Sequence, residues 1–373
     1  MPFYTEINKL RKKQKARVAR KLLELREMFE EGQGIPGEPN YISPIPARSL
    51  NDNLLVASWN IREFDSSSYG ERGVEPLLYI AEIISRFDII AIQEVRRDTH
   101  VLKRLRKYLG YHWDYMVTDE TGNFERLAIF FDTRKVRFTG VVGEVVLPEV
   151  DGEPARQFAR SPLLVGFQSG WFKFSLCTTH IIYGSSQADD PRRVREIESL
   201  AIYLKEKMLE YRRLASEGKI SHSEYENIIL LGDFNIFTIR DDTYAAFVDN
   251  GWEVTDSLVG AKTNTGTKKR SFDQIAYRND AKNVQATGRA GVFNFFDVVY
   301  RSDEWKAYNS ELRKMEKYRS YAEDEDSKRK RYYKTYWRTY QMSDHLPLWM
   351  ELKINFSGEY LERRVPELAE DQN

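Results

Sequence analysis

From Leu54 onward, short apolar runs alternate with amphipathic helical stretches, and this rhythm constrains the fold more than any other feature of the chain. The apolar runs have the length of buried strands, whereas residues 76–87 and 194–211 carry apolar residues at helical spacing. Strands alternating with helices predict an α/β or layered α+β domain. The strand candidates are residues 54–58, 88–92, 127–131, 171–177, 228–231, 272–277 and 346–354.

The composition is that of a globular protein with a large core, because 41% of the 373 residues are hydrophobic and 13% are aromatic. Lys+Arg and Asp+Glu both number 57, so no global positive field attracts a polyanion, and nucleic-acid binding would need local patches. Cys177 is the only cysteine, which excludes an internal disulfide and a thiolate metal cluster. No stretch approaches the roughly 20 apolar residues of a membrane span, and the N-terminal region lacks an apolar signal core. We therefore expect a cytoplasmic protein without a membrane partner.

Three regions are predicted along the chain. Residues 1–50 combine a basic amphipathic helix, about residues 5–31, with a Pro/Gly-rich linker over residues 32–46. Residues 51–356 form the main domain, and residues 357–373 form a C-terminal tail. The basic helix either docks on nucleic acid or a partner, or packs on the main domain with a solvated basic face. We favour packing, because charge runs are usually solvated surface.

A charged, tyrosine-rich insertion over residues 302–340 interrupts the rhythm of the main domain. Basic residues beside aromatic ones can follow a phosphate backbone and stack on bases. A charged helical excursion whose aromatic residues simply pack explains the composition equally well. The aromatic residues concerned are Tyr308, Tyr318, Tyr321, Tyr332, Tyr333, Tyr336, Trp337 and Tyr340.

Several strand candidates end in a polar residue that can bind metal or transfer a proton. Asp233 and Asn235 follow the run 228–231 two residues apart, which places both side chains on one face of an extended chain. An ionised aspartate only accepts hydrogen bonds, whereas asparagine also donates them, so the pair can hold a small polar species and orient an anionic one. A lone buried aspartate or histidine is more often structural than catalytic, but a structural explanation must account for each one separately. The other strand-end residues are Asn60, Glu94, His180, Asp273, Asp344 and His345.

Six polar segments occur in a fixed order along the chain. They are Ser58-Trp59-Asn60-Ile61-Arg62, Ile92-Gln93-Glu94-Val95-Arg96, Thr178-Thr179-His180, Gly232-Asp233-Phe234-Asn235, Ser271-Phe272-Asp273-Gln274-Ile275 and Ser343-Asp344-His345-Leu346-Pro347. The chain thereby resembles the endonuclease/exonuclease/phosphatase superfamily, and its DNase I-like branch most. The resemblance runs over residues 54–354 and is poorest in the insertion.

That resemblance implies an α+β fold, the four-layer αββα sandwich, in which two packed mixed sheets are flanked by helices. The N-terminal helix and the late charged insertion are additions to it. The resemblance also implies divalent-metal-dependent cleavage of a phosphodiester or phosphomonoester. Glu94, with Asn60 and Asp344 nearby, would supply hard oxygen ligands to Mg²⁺, and Mn²⁺ could substitute. The metal would neutralise charge that builds on phosphorus.

The resemblance implies two histidine–carboxylate pairs beside this metal. His345 pairs with Asp273, while Asp233 and Asn235 position a water, the nucleophile or a second metal. His180 favours the DNase I-like branch, since abasic-site endonucleases of this fold usually carry aspartate there. Glu125, in Phe124-Glu125-Arg126, resembles the segment that supplies the carboxylate partner of His180. Which pair removes a proton and which donates one stays open.

Two arginines match positions that contact substrate in the superfamily. Arg160 corresponds to a residue that binds substrate phosphate, a natural use of the guanidinium fork, and a surface ion pair is the less favoured alternative. Arg96 corresponds to an arginine that enters a DNA groove, but Arg97 follows directly and either side chain could point outward.

The sequence therefore predicts a Mg²⁺-dependent phosphodiesterase that acts on nucleic acid, with DNA as the expected substrate. It would be an endonuclease that leaves a 5′-phosphate and a 3′-hydroxyl. An RNase, a deadenylase or a small-molecule phosphatase with the same core is the alternative, since nonspecific DNA binding draws on basic surface and the net charge is zero. A catalytically silent binding or scaffold protein is the alternative of another class.

Overall fold

The computed structural model describes residues 2–32, 43–66, 71–149, 153, 155–221, 224–278, 284–312, 326–362 and 364–365. Most of the predicted linker therefore lies outside the described residues, as do the middle of the insertion, with Tyr318 and Tyr321, and most of the predicted tail. None of the helices in the described ranges has the combination of length and apolar character needed to cross a membrane.

Strands form the two central layers of the fold. Their bounds are Asn53–Phe64 (β1), Ile89–Val95 (β2), Trp113–Val117 (β3), Arg126–Asp132 (β4), Arg137–Glu144 (β5), Leu163–Ser169 (β6), Phe172–His180 (β7), Ile228–Asp233 (β8), Trp252–Glu253 (β9), Asp273–Arg278 (β10), Ala286–Val292 (β11) and Leu348–Lys353 (β12). They form two six-stranded mixed sheets in the described part of the chain. The first sheet has the order β11-β12-β1-β2-β4-β3, and the second β5-β6-β7-β8-β10-β9.

Helices cover the outer face of each sheet. The main ones are Lys12–Glu31 (α1), Val74–Ile84 (α2), His100–Leu109 (α3), Pro191–Ser216 (α4) and Asp242–Val248 (α5), and shorter ones are Asn309–Leu312, Asp326–Tyr332, Arg338–Gln341 and Ser357–Glu362. Along β1, Leu55, Ala57 and Trp59 join the core shared with α1–α3. Leu54 and Val56 join the core shared with the second sheet. Successive residues of a strand point to opposite faces, so β1 is buried on both sides. This arrangement confirms the predicted four-layer αββα sandwich.

Element boundaries differ from the predictions where backbone pairing is irregular. β1 continues past the predicted end at residue 58, and its pairing with β2 shifts register between Asn60 and Phe64. β12 starts at Leu348, although the apolar run begins at Leu346. Pro347 has no N–H to give to a ladder, and the Leu346 N–H donates instead to the Thr263 carbonyl at 2.6 Å.

The N-terminal helix α1 packs on the main domain. Val18, Leu25 and Phe29 are fully or almost fully buried in the core of the first sheet. Arg17 donates to both carboxylate oxygens of Glu75 on α2, at 3.2 and 2.6 Å. Lys12, Lys13 and Arg20 are exposed, as the favoured interpretation predicts, whereas Lys21 is buried and pairs with Glu24 and Glu304.

Truncating the buried face of α1 should destabilise the whole domain. We expect Leu25→Ala to lower the free energy of unfolding by about 3 kcal/mol, because it removes a fully buried side chain and leaves a cavity. Leu23→Ala on the same helix is the matched control: Leu23 is 64% exposed, so its change should stay within about 0.5 kcal/mol. Urea unfolding monitored by tryptophan fluorescence measures both, and equal effects would contradict the packing.

The insertion also packs mainly through its aromatic residues. Tyr308, Tyr333 and Trp337 are buried, and Tyr333 stacks on Tyr308 and Trp337 with ring centroids 5.8 and 5.5 Å apart. The turn Tyr333–Trp337 is π-helical. Tyr336 is 48% exposed, and Tyr340 lies 4.1 Å from the guanidinium of Arg62. The packing interpretation therefore holds for the buried aromatic residues of the insertion.

Candidate active site

Ends of strands from both sheets converge at one edge of the sandwich. β7 and β8 are parallel and place His180 opposite Asp233. β8 and β10 are antiparallel and place Asp233 opposite Asp273. From the first sheet, the Asn60 amide reaches across and donates to Asp233 Oδ2 at 2.9 Å. Residues far apart in sequence therefore meet around one carboxylate.

The Asp233 carboxylate is the centre of this cluster. Its Oδ2 lies 3.6 Å from His180 Nε2 and 3.8 Å from His345 Nε2. Its Oδ1 accepts the backbone N–H of Asn235 at 2.9 Å. Burial would raise the pKa of Asp233, but the positive charges of His345 and His180 outweigh burial and lower it. Asp233 is therefore ionised and faces two imidazoles.

His345 is oriented by three neighbours. Its Nδ1 lies 2.8 Å from Asp273 Oδ2, its carbonyl accepts the indole N–H of Trp59 at 3.0 Å, and its ring stacks on Phe272. Burial disfavours the imidazolium, but the carboxylates of Asp273 and Asp233 raise the pKa of His345 well above its ordinary value. The ring is thus held in a protonated form with Nε2 toward Asp233.

His180 belongs to a second pair of the same kind. Its Nδ1 lies 2.9 Å from Glu125 Oε2, and Arg160 Nε lies 2.6 Å from the same oxygen. Burial would raise the pKa of Glu125, but His180 and Arg160 lower it to about 2. Burial and Arg160 oppose the charge on His180, whereas Glu125 and Asp233 favour it, and the net effect raises the pKa of His180.

Removing the Glu125 charge should reverse this balance. In Glu125→Gln, the Arg160 charge acts on His180 without its counter-ion, so the pKa of His180 should fall and hydrolysis should drop by about 100-fold. The imidazole signals of metal-free protein, followed by NMR against pH, measure the change, and only 5 histidines need assignment. Glu27→Gln, the same substitution at an exposed position of α1, is the control. An unaltered His180 titration in Glu125→Gln would refute the pairing.

Left-handed backbone at non-glycine positions marks the same edge. Glu63, Glu94 and Asn235 have φ values of 46°, 60° and 54°. Such conformations are costly for residues with a Cβ and cluster at functional sites. At the bulge between β1 and β2, the Glu94 carboxylate accepts the Asn60 amide and the Glu63 N–H, both at 2.9 Å. The irregular ladder thereby turns Glu94 toward Asn60.

Gly232 allows β7 and β8 to approach closely beside Asp233. Its φ is +140°, and a Cβ at this position would lie 2.0 Å from the Thr179 carbonyl oxygen. Any larger residue would therefore separate the two strands that carry His180 and Asp233.

The donor atoms suit a hard divalent cation. Asn60 Oδ1 and Asp273 Oδ1 are buried and have no hydrogen-bond partner within the described residues. The Glu94 carboxylate lies beside Asn60, and oxygen ligands of this kind fit Mg²⁺. A second group, Asp233, Asp273 and His345, brings ligand atoms within 4.8 Å of one another and could also hold a metal.

Three predicted site residues make contacts that the sequence did not indicate. Asp344 has a side chain 38% exposed and lies 3.5 Å from Arg62, and among the described residues it does not hydrogen-bond to Asn60. Arg160 is buried on Glu125 instead of forming a surface ion pair. Arg96 turns inward to Glu63 and lies 3.5 Å from Glu125, while Arg97 is the one that points outward.

Sequence reasoning missed two residues that hold the site together. Ser343 Oγ donates to the Asn60 carbonyl at 2.6 Å and accepts the His345 N–H at 3.0 Å, so it ties β1 to the histidine loop. Buried Arg72 donates to carbonyls on both segments, those of Arg62, Glu63, Gln341 and Met342. Ser343 stands in a quoted motif and could have been noted, whereas no pattern distinguishes Arg72 from other arginines.

The fold and the site together define a phosphoester hydrolase. The family model "Endonuclease/Exonuclease/phosphatase family" matches residues 57–287, and the chain belongs to this family. Enzymes of this superfamily depend on divalent metal. No curated protein matches the chain.

Solved structures similar to this chain come from several organisms. An endonuclease/exonuclease/phosphatase family protein from Bacteroides thetaiotaomicron is 19% identical, with a TM-score of 0.48, and the match covers 82% of this chain and 97% of that one. D. rerio TDP2 complexed with single strand DNA product is 14% identical, with a TM-score of 0.47 and coverage of 80% and 98%. The human Nocturnin catalytic domain with bound sulfate is 15% identical, with a TM-score of 0.47 and coverage of 80% and 94%.

Proposed function

We propose that this chain is a Mg²⁺-dependent phosphodiesterase that cleaves DNA as an endonuclease, leaving a 5′-phosphate and a 3′-hydroxyl. One observation carries the proposal: two imidazoles, each backed by its own carboxylate, direct Nε2 toward the same Asp233 oxygen, at 3.6 and 3.8 Å. Hydrolysis of a phosphodiester needs an oriented water and a proton for the leaving oxygen. The cluster offers a group for each task.

The protonation states divide these tasks. Asp233 is ionised and accepts a proton from the attacking water as the new P–O bond forms and the bond from phosphorus to the leaving oxygen breaks. The Asn235 N–H and the Asn60 amide fix its orientation. His345 favours the imidazolium, so it can give a proton to the leaving oxygen. His180, also biased toward its charged form, donates a hydrogen bond to a phosphate oxygen.

Glu94 and Asn60 Oδ1 would hold Mg²⁺, or Mn²⁺ in its place, and the bound cation would neutralise charge on the phosphate. Asp344, at the rim, would reach that centre through water. Arg96 and Arg160 would add positive charge beside the phosphate, and Arg160 also fixes Glu125. Arg160 thereby helps to hold the carboxylate that orients His180.

Nicking of supercoiled plasmid in Mg²⁺ or Mn²⁺ tests the proposal. We expect conversion to the open circle by the wild-type protein and none by Asp233→Ala or His345→Ala. If the wild-type protein nicked plasmid no faster than these two variants, the proposal would be refuted. A parallel panel of duplex DNA, single strands, RNA, abasic duplex and phosphoinositides identifies the substrate.

Other outcomes of that panel correspond to the alternatives. Turnover confined to RNA or to a small phosphoester would replace the DNA assignment with a ribonuclease, deadenylase or phosphatase of the same family. No turnover with any substrate, together with no calorimetric binding of Mg²⁺, would favour a scaffold protein.

A cytoplasmic location is proposed as well, on the ground that the single cysteine, Cys177, is buried and unpaired.

A further inference from the structure

A polar cavity of about 420 Å³ lies next to the catalytic cluster, between the loop before β10 and the end of the insertion. Leu346, one of its lining residues, directly follows His345. Thr265, another, donates its N–H to the Asp344 carbonyl at 2.8 Å. The cavity therefore adjoins the segment of backbone that carries His345.

Positive charge dominates the lining. Lys269, Lys334, Arg301 and Arg338 line the cavity, against the carboxylates of Asp297 and Asp303. We call this the basic cavity. Arg301 forms a two-point ion pair with Asp303 at 3.2 Å, so their charges cancel locally.

The other three cations make no ion pair with any described residue. Lys269 donates to the Asn264 carbonyl at 3.2 Å, and Lys334 and Lys269 are both exposed. Asp297 accepts the amide of Asn294 at 2.8 Å. An uncompensated positive charge thus remains in a concave site, which favours an anion.

Arg338 is fixed in place instead of free in solvent. Its guanidinium lies 4.1 Å from the centre of the Phe296 ring, and its Nε donates to the Lys334 carbonyl at 3.0 Å. Residues four apart share one face of a helix, which explains this placement: Tyr333 and Trp337 point into the core, and the residue after each, Lys334 and Arg338, lines the cavity. The insertion therefore uses its aromatic residues for packing and its cations for this wall.

We propose that the basic cavity binds a phosphate group of the nucleic-acid substrate near the one that is cleaved, so that the insertion captures substrate. This inference rests on the proposed function. The group is either a backbone phosphate of the strand or a terminal phosphate, because both present the same anionic oxygens to lysine and arginine.

Binding of a fluorescent oligonucleotide by full-length Asp233→Asn protein, measured by anisotropy in EDTA, tests the cavity without turnover. We expect Lys334→Glu and Lys269→Glu each to weaken binding by about fivefold. Each should also make the negative slope of log K against log salt less steep by about one. Lys330→Glu is the matched control: it makes the same charge change on an exposed position of the insertion outside the cavity. Thermal unfolding confirms that each variant is folded.

Running the assay with and without a 5′-phosphate separates the two sources of the ligand. If Lys334→Glu and Lys269→Glu weaken binding of both oligonucleotides, the cavity binds a backbone phosphate. If they weaken binding only of the 5′-phosphorylated oligonucleotide, the cavity binds the terminal phosphate. The cavity proposal is overturned if Lys330→Glu weakens oligonucleotide binding equally, or if Lys334→Glu and Lys269→Glu do not weaken it. This holds even if wild-type protein nicks plasmid. Absence of any oligonucleotide binding overturns it too. If binding behaves as expected but wild-type protein hydrolyses no nucleic acid, the proposed function fails and the cavity stands.

Discussion

Asp233→Asn should lower the rate of phosphodiester hydrolysis by about a thousandfold while leaving the protein folded. The substitution keeps the shape of the side chain but removes the charge that faces both imidazoles, at 3.6 and 3.8 Å. It also replaces an acceptor of the Asn60 amide with a group that can point a donor at it. Steady-state turnover of bis(p-nitrophenyl) phosphate and plasmid nicking measure the loss.

Asp249→Asn is the matched control, because Asp249 is exposed at the end of α5 and makes the same charge change away from the site. It should leave turnover unaltered. If Asp233→Asn kept more than about a tenth of wild-type activity, Asp233 would not be the group that orients the water.

Glu94→Gln should weaken Mg²⁺ binding by at least about tenfold and raise the Mg²⁺ concentration needed for hydrolysis correspondingly. The substitution removes the carboxylate next to the unpartnered Asn60 Oδ1, and a neutral amide is a poorer ligand for a hard cation. Isothermal titration calorimetry of Mg²⁺ measures the affinity directly.

Glu210→Gln, on the exposed side of α4, controls for a general loss of negative charge. The same titration distinguishes the two candidate metal groups. If His345→Gln abolishes binding and Glu94→Gln does not, the metal belongs to Asp233, Asp273 and His345 instead of to Glu94 and Asn60.

The layered fold could be predicted because its central strands are buried on both faces. Residues 228–231 of β8 are apolar whichever way each side chain points, and the abrupt end of this run at a carboxylate indicates a sheet edge. The αββα topology was implied only by the family resemblance that the six ordered motifs carry, because periodicity alone does not determine it. The ends of elements were harder to predict from sequence. At β12, Pro347 has no N–H to donate, so the strand begins at Leu348 and not at the start of the apolar run.

Contacts within the site were only partly accessible from sequence. Both histidine–carboxylate pairs follow from motif positions, and the structure places His180 on Glu125 and His345 on Asp273. Arg160 lies on Glu125, a contact that the sequence did not indicate, because a buried carboxylate needs a partner charge. Contact between Arg160 and substrate phosphate stays a prediction. Which buried group takes which partner depends on three-dimensional proximity that spacing does not encode.

The insertion shows the same limit. Its composition fitted both nucleic-acid binding and packing, since tyrosines beside lysines occur in either. In the structure, Tyr333 and Trp337 lie on the buried face of this helical segment, whereas Lys334 and Arg338 line the basic cavity. The alternatives were therefore compatible instead of exclusive.

Cleavage of a duplex oligonucleotide in ¹⁸O-labelled water, followed by mass spectrometry of the new ends, tests the central claim most directly. Attack of water oriented by Asp233 should place one ¹⁸O atom on a new 5′-phosphate and leave an unlabelled 3′-hydroxyl, with no such product from Asp233→Asn. A labelled 3′-phosphate, or equal cleavage by Asp233→Asn, would contradict the account.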